Sequence, residues 1–419
     1  MSRIVIAWEL GENLGHLWNL LPVAQRLRSL GHDVSFGIRD VAQAHRYLAP
    51  LGLRWFAAPV AQGVPPLGRD VASHTDILAA CGAAHATHLA GMVGAWRHLF
   101  DVLQPDLVLV EHAPFALLAA NRIGVPTVHL GTGFTIAPTL APAPNFRPWD
   151  SAMKDEVVQT GHRVALAVQQ VFGGPYPLDK CFRANETRLL SIPALDHYDG
   201  MRSPDAMFIG AMPAPESHGE PVEWKRDDVP RVFVYLRASP YLDAVLRLLD
   251  DAGAEVIATL PDVRPAQAAR YRTLRIYDQP VRIDALLGSC DLAITHGGHG
   301  TALACLLAGV PMLALPMHIE QLRVTENVAN AGAGLGILPA HVTEHFGPVL
   351  RTMLATQTFR EAARAIAMRH SGLDPARALD GVVELIERAI VSRSPGTRTV
   401  ADGRESGPPA TDEMRWRSG

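Results

Sequence analysis

The chain has 419 residues, 48% of them hydrophobic and 19% charged, the make-up of a folded globular protein rather than a disordered one. At roughly 150 residues per domain the length suits two large domains or three small ones, with a core that needs neither disulfides nor a metal. Lys+Arg 38 against Asp+Glu 42 gives a net charge of −4, which argues against a nucleic-acid partner held through its phosphates.

The opening MSRIVIAWELGEN has a short apolar run and a single basic residue. That run is too short for a signal-peptide core and reads as a strand, Arg3–Trp8. Leu17–Leu30 has apolar residues at helical spacing and stops at Gly31, a C-cap signal. Strand-like Asp33–Ile38, helix-like Val41–Leu51 and strand-like Leu53–Ala58 follow. Val71–Leu103 reads as one long helical region whose His88, Met92, Trp96 stripe suits a core; a peripheral membrane contact along Leu89–Leu103 is the alternative. Then come a strand at Asp106–Val110, a helix at Pro114–Ile123 and a strand at Pro126–Leu130. Strands without polar alternation, separated by helices, indicate a parallel sheet covered on both faces.

Thr132–Asp150, rich in proline, alanine and aromatics, breaks the pattern as an irregular surface loop or as the lining of an apolar pocket. After Met207–Met212, the polar and Pro-rich PAPESHGEPVEWKRDDVP (213–230) reads as an interdomain linker. A second series follows. Strands are expected at Arg231–Leu236, Glu255–Leu260, Leu274–Tyr277, Asp291–Thr295 and Pro311–Leu315, and helices at Tyr241–Asp251, Asp284–Leu287, Gly300–Leu307 and Glu320–Ala331. Helical periodicity fills much of Thr343–Val391, and 392–419 lacks it, as a disordered tail would. The fold class is α/β, with two successive Rossmann-like domains, 1–212 and 231–391, and a ligand cleft between them. Cys81, Cys181, Cys290 and Cys305 are too dispersed for a zinc site or disulfide framework. No run approaches the length of a membrane span, and the expected location is the cytoplasm.

The strongest chemical signal is Thr295-His296-Gly297-Gly298-His299-Gly300-Thr301, between a strand and a helix. Glycines there let backbone N–H groups close on an anion, and the helix N-terminus adds its dipole. The turn reads as a diphosphate cradle, with His296 and Thr301 able to donate further hydrogen bonds. About twenty residues on, Glu320-Gln321 opens the next helix after a strand ending at Pro316. Such a carboxylate–amide pair can cap the helix or grip vicinal hydroxyls of a sugar.

The stretch Cys290–Gly336 (CDLAITHGGHGTALACLLAGVPMLALPMHIEQLRVTENVANAGAGLG) resembles the sugar-nucleotide signature of GT-B glycosyltransferases, above all the bacterial macrolide and rhamnolipid enzymes related to UDP-glycosyltransferases. The resemblance implies His296 and the Gly297, Gly298, His299, Gly300, Thr301 turn on the donor diphosphate, and Glu320 and Gln321 on the donor hexose. Gly15-His16-Leu17-Trp18-Asn19-Leu20-Leu21-Pro22 resembles the family's GHxxxxLP motif, which implies His16 as the catalytic base. A neutral histidine at a strand–helix turn can deprotonate a hydroxyl near neutral pH. The family orients this histidine with an acid after the fourth strand; Glu111 stands there, and Asp106 is the weaker candidate.

The chain departs from the family at several points. Ala304 occupies the slot of a ribose-binding acid, and Leu236-Arg237-Ala238-Ser239-Pro240 replaces a Gly-Ser/Thr phosphate turn, leaving Ser239 and Arg237 as candidates. Gln279-Pro280-Val281-Arg282 stands where an aromatic-Pro pair is usual, and His299 fills a slot usually small or apolar. There is no D-x-D, G-x-S-x-G or P-loop, and Gly332–Gly336 is not a dinucleotide fingerprint. The expected function is an inverting, metal-independent glycosyltransferase without a cofactor. It would move a hexose from a UDP- or dTDP-sugar to a hydroxyl of a hydrophobic acceptor. The alternatives are a sugar-nucleotide epimerase on the same fold or a non-catalytic nucleotide-sugar-binding protein.

Overall fold

The computed structural model describes residues 1–11, 14–138, 143–147, 149–150, 153–174, 181–198, 200–203, 205–214 and 219–392. The expected disordered tail, apart from Ser392, lies outside them.

The first half holds strands β1 (Arg3–Trp8), β2 (Asp33–Ile38), β3 (Arg54–Ala57), β4 (Leu107–Val110), β5 (Thr127–Gly131) and β6 (Glu186–Leu189). They form one parallel sheet in the order β3-β2-β1-β4-β5-β6. Helices α1 (Gly15–Ser29), α2 (Val41–Tyr47), α3 (His74–Ala80), α4 (Ala86–Leu103), α5 (Pro114–Arg122) and α6 (Met153–Phe172) connect and cover it. The second half repeats the plan with β7 (Arg231–Tyr235), β8 (Glu255–Thr259), β9 (Leu274–Tyr277), β10 (Leu292–Thr295), β11 (Met312–Ala314) and β12 (Gly334–Gly336). Its order is β12-β11-β10-β7-β8-β9, again parallel. Its helices are α7 (Leu242–Asp250), α8 (Pro265–Ala268), α9 (Ile283–Leu287), α10 (His299–Leu307), α11 (Ile319–Asn330), α12 (Val342–Ala355), α13 (Thr358–Arg369) and α14 (Pro375–Val391).

The central strands are apolar at nearly every position because both faces are covered; β4, β8 and β10 are buried throughout. In each half the sheet grows to one side, then returns to the centre and grows to the other. The reversal falls between β1 and β4 in one half and between β7 and β10 in the other. Such switch points open a crevice at the carboxyl ends of the strands, where ligands bind. The register fixes what meets there: Ala7 pairs with Val110 and Tyr235 with Thr295. The turns after β1 and β4 are thereby neighbours, as are those after β7 and β10.

Several expectations need correction. The helical region 71–103 is two helices, broken at Gly82, whose φ of 105° no other residue adopts without strain. The apolar face of 89–103 is spent inside: Leu89, Met92, Val93, Trp96 and Phe100 are buried in the core. Val41–Leu51 stops being α-helical at Tyr47, ahead of Pro50. Helix α6 and strand β6 lie in a stretch given no element from sequence, although Val157, Thr160, Val164, Ala167 and Val168, the buried side of α6, fall at helical spacing.

The domain limits also move. Helix α14, assigned to the second domain, crosses back and buries Val382, Val383, Leu385 and Ile386 against α1 and β4 of the first. Ile192 and Leu195, placed in the first domain, already pack in the second core. The described part of the expected linker is no tether. Val222 is buried in the second core, and Trp224 Nε1 donates to the Leu286 carbonyl at 3.0 Å.

Candidate active site

In the first half the turn after β1 is tied to the turn after β4. Leu10 N–H donates to the His112 carbonyl at 3.0 Å. Glu9, which carries no motif in the sequence, is buried and accepts from Phe115 N (2.6 Å), Ala116 N (2.9 Å) and Trp96 Nε1 (2.9 Å). It thereby holds the first turn of α5 against β1, which fixes the residues between β4 and α5. Burial lifts its pKa to about 7 against the pull of those three hydrogen bonds.

Within that frame His16, in the first turn of α1, directs Nδ1 at Glu111 Oε2, 2.6 Å away. Glu111 is fully buried and His16 is 19% exposed. Trp8 stacks on the imidazole at 5.4 Å between centroids. With Nδ1–H donated to Glu111, Nε2 carries the lone pair. Gly11 explains why it is unobstructed: φ is 86°, and a Cβ at this position would fall on Nε2. Burial pulls the His16 pKa down, but the Glu111 charge and hydrogen bond, with Glu320 adding, outweigh it and leave it raised. Glu320 belongs to the second half. Burial raises its own pKa, neighbouring His16 lowers it and Glu111 raises it again. Glu320, at the start of α11, is thus close enough for its charge and those of the His16–Glu111 pair to act on one another.

The glycine turn after β10 opens α10, and among the described residues no side chain caps that helix. Its first N–H groups therefore face outward at the positive end of the helix dipole. Gly297 has φ 76° and would bring a Cβ against Thr325 Oγ1 and the Gln321 carbonyl, so glycine is required there. Gly298 and Gly300, by contrast, border open space. Thr301 is half-buried in the first turn. The Ser239 hydroxyl is buried beside that of Tyr241, and neither has a well-formed hydrogen bond among the described residues.

Two sequence expectations fail here. His296 is a strut rather than a free donor. Its Nδ1 donates to the Leu315 carbonyl at 2.8 Å and its Nε2 accepts from Arg237 N–H at 2.7 Å, so both ring nitrogens are used on backbone. Burial lowers its pKa, consistent with a neutral ring in that role. The His299 side chain turns away from the cradle: it is buried, lies 2.9 Å from Ser191 Oγ and stacks on His197 at 5.7 Å. Burial brings its pKa to about 4. Its place in the motif said nothing about this, because the partner lies 108 residues away. Arg237 forks onto Asp262 at 2.7 and 3.0 Å, which neutralises much of its charge. Gln321 accepts from Met317 N–H at 2.8 Å through Oε1, which leaves its amide hydrogens for another acceptor. Among the described residues no group of three His, Cys, Asp or Glu side chains is placed to hold a metal.

Beside His112 lies a cavity of about 590 Å³ between α3, α5, α6 and the segment after β5. Part of the Pro-rich loop, Ile136–Pro138 and Ala143–Pro144, lines it. The pocket-lining reading of that loop thus holds for Thr135 to Pro138 and for Ala143 and Pro144. No helix among the described residues is long and apolar enough to cross a membrane.

Comparison with known proteins agrees with the fold. Residues 243–387 match the family model of the erythromycin biosynthesis protein CIII-like C-terminal domain. The elloramycin glycosyltransferase ElmGT of Streptomyces olivaceus is 27% identical over 67% of this chain and 68% of its own length. The calicheamicin glycosyltransferase CalG4 shares the fold with a TM-score of 0.69 at 18% identity, over 94% of this chain and all of that one. The SsfS6 glycosyltransferase of Streptomyces sp. SF2575, solved with thymidine diphosphate, superposes with a TM-score of 0.61 at 19% identity, over 93% of this chain and 100% of that one.

Proposed function

We propose that this chain, a glycosyltransferase of the natural-product GT-B type, transfers a hexose from a nucleotide diphosphate sugar to a hydroxyl of a hydrophobic small molecule, with inversion and without a metal. The observation that carries this reading is the His16–Glu111 pair, with Nε2 left unobstructed by Gly11.

His16 Nε2 takes the proton of the acceptor hydroxyl as its oxygen attacks the anomeric carbon. The bond from that carbon to the diphosphate oxygen breaks on the opposite face, and its electron pair leaves with the phosphate. Glu111 stabilises the imidazolium that forms. The departing charge is met by the open backbone N–H groups from Gly298 to Thr301 and by the dipole of α10, with Thr301 and Ser239 as side-chain donors. His296 serves this cradle indirectly, by holding the Arg237 and Leu315 turns together. Glu320 and the Gln321 amide bind the sugar hydroxyls in this reading. Thymidine diphosphate in SsfS6 favours a dTDP-sugar as donor, with UDP as the alternative. The mainly apolar cavity beside His112 suits a hydrophobic acceptor.

The test is a donor panel of UDP-glucose and dTDP-glucose, with and without EDTA, against hydrophobic hydroxylated acceptors. Product anomers are read by proton NMR. EDTA-insensitive transfer with inverted anomeric configuration is expected. Retention, or loss of activity on chelation, would refute the mechanism.

A further inference from the structure

Glu9 is a buried acid that the reaction above does not use. It follows β1, is 1% exposed, and its described hydrogen bonds all go to two helices. Oε1 accepts from Phe115 N and Ala116 N, and Oε2 accepts from Trp96 Nε1 of α4. Phe115 and Ala116 are the second and third residues of α5. An N-cap side chain would ordinarily take those N–H groups, but Ala113, at the cap, has none to offer. Glu9 supplies the cap from the neighbouring strand. Keeping a carboxylate away from water is costly, and a serine or aspartate at position 113 would cap α5 without it. Helix capping alone therefore does not account for Glu9.

The segment it secures carries Glu111. Glu111 N–H donates to the Ala7 carbonyl at 2.9 Å, and Leu10 N–H donates to the His112 carbonyl at 3.0 Å. His112, between Glu111 and the helix, sits at φ 45°, a left-handed conformation that is costly for a residue with a Cβ. Such a step persists only while the chain on both sides of it is held. Ala7 and Leu10 hold one side, and Glu9 holds the other. The same run of residues 7–10 leads on through Gly11 to α1 and His16.

Resting on the base assigned above, we propose that Glu9 is a positioning residue of the reaction: by clamping the first turn of α5 to the end of β1, it sets the spacing of His16 Nδ1 and Glu111 Oε2. None of its described hydrogen bonds reaches either residue, so it acts through the backbone. The spacing is 2.6 Å, and a misplacement of about 1 Å in a catalytic pair can cost about 10² in rate. Reach matters here more than charge. Glu9→Asp keeps the carboxylate but is one methylene too short to span from β1 to both α5 and Trp96. Glu9→Gln keeps the length: its Oε1 still accepts from both helix N–H groups, and only the Trp96 bond is lost.

The experiment compares the full native chain with Glu9→Asp and Glu9→Gln, each also in the Glu111→Gln background, with folding checked by circular dichroism and thermal melts. Two quantities are read. One is the far-downfield proton of the short His16–Glu111 bond in the NMR spectrum, identified by its loss in His16→Ala. The other is kcat with dTDP- or UDP-glucose and a hydroxylated acceptor, taken well above neutral pH so that Glu9, with a pKa of about 7, is ionised. Glu9→Asp should weaken or abolish the downfield proton and lower kcat at least about tenfold, with donor KM little changed. Glu9→Gln should keep the proton and most of kcat. In the Glu111→Gln background, Glu9→Asp should cost less than about twofold, because the pair it serves is already broken. A folded Glu9→Asp with a native downfield proton, or a kcat loss equal in both backgrounds, would overturn the inference and leave Glu9 a purely structural cap. A fully active His16→Ala would instead overturn the base assignment, and this inference with it.

Discussion

His16 Nδ1 and Glu111 Oε2 are 2.6 Å apart although 95 residues separate them in the chain. The contact exists because β1 and β4 are adjacent at the switch point and each residue follows its strand. If His16 is the base, it must be neutral to act, and its raised pKa delays that state to higher pH. The acidic limb of kcat/KM should therefore lie above the ordinary histidine value. Glu111→Gln removes the main influences that raise it, so the limb should move to lower pH while kcat falls by about 10²–10⁴. His16→Ala should lose a similar factor and keep nucleotide affinity within about threefold. Gly11→Ala should behave like His16→Ala, because its Cβ would cover Nε2. An unmoved limb in Glu111→Gln would sink the assignment.

His296 gives a prediction that separates support from direct contact. Both nitrogens are bonded to backbone of different turns, so His296→Ala should destabilise the ligand-free protein by about 1–3 kcal/mol. Nucleotide affinity should fall as a consequence. Denaturant melts without ligand decide the matter: unchanged apo stability with lost nucleotide binding would mean that the ring works on the ligand itself.

Much of the fold is legible in the order of residues alone. The strand–helix alternation marks both sheets, since parallel strands buried on two faces leave apolar runs that need no partner to be recognised. The Gly297–Thr301 turn and the Glu320-Gln321 pair read correctly as helix starts, because capping and glycine chemistry are local. What escapes such a reading is non-local. No local signal says that the His299 ring leaves the cradle for Ser191, that the His296 nitrogens are already taken, or that Glu9 caps α5 more than a hundred residues later. Strand β12, three residues with two glycines, has too little pattern to show. The return of α14 to the first half is likewise invisible, since an amphipathic helix does not name the surface it covers.

Two neighbouring glycines should behave oppositely. Gly297→Ala forces φ 76° on a residue with a Cβ and drives that atom towards Thr325 Oγ1. A loss of about 1–3 kcal/mol is expected even without ligand. Gly298 borders open space and has φ −62°, so Gly298→Ala should leave apo stability within about 0.5 kcal/mol. If the diphosphate fills that space, nucleotide affinity in Gly298→Ala should still drop. Thermal melts of both variants with and without dTDP provide the comparison, and unchanged dTDP binding in Gly298→Ala would move the phosphate site elsewhere.

The buried bond between Ser191 Oγ and His299 Nε2 joins the segment after β6 to the first turn of α10. Ser191→Ala leaves a buried imidazole nitrogen unpaired, at a cost of about 1–3 kcal/mol. His299→Ala loses the same bond together with the stacking on His197. The double variant should cost clearly less than the sum of the two, because the bond can be lost once only. Nucleotide affinity should change little in Ser191→Ala, since the backbone N–H groups of the turn are untouched. Strict additivity in a double-mutant cycle would show that the two side chains do not interact. A collapse of nucleotide binding confined to His299→Ala, with stability intact, would return that side chain to the diphosphate.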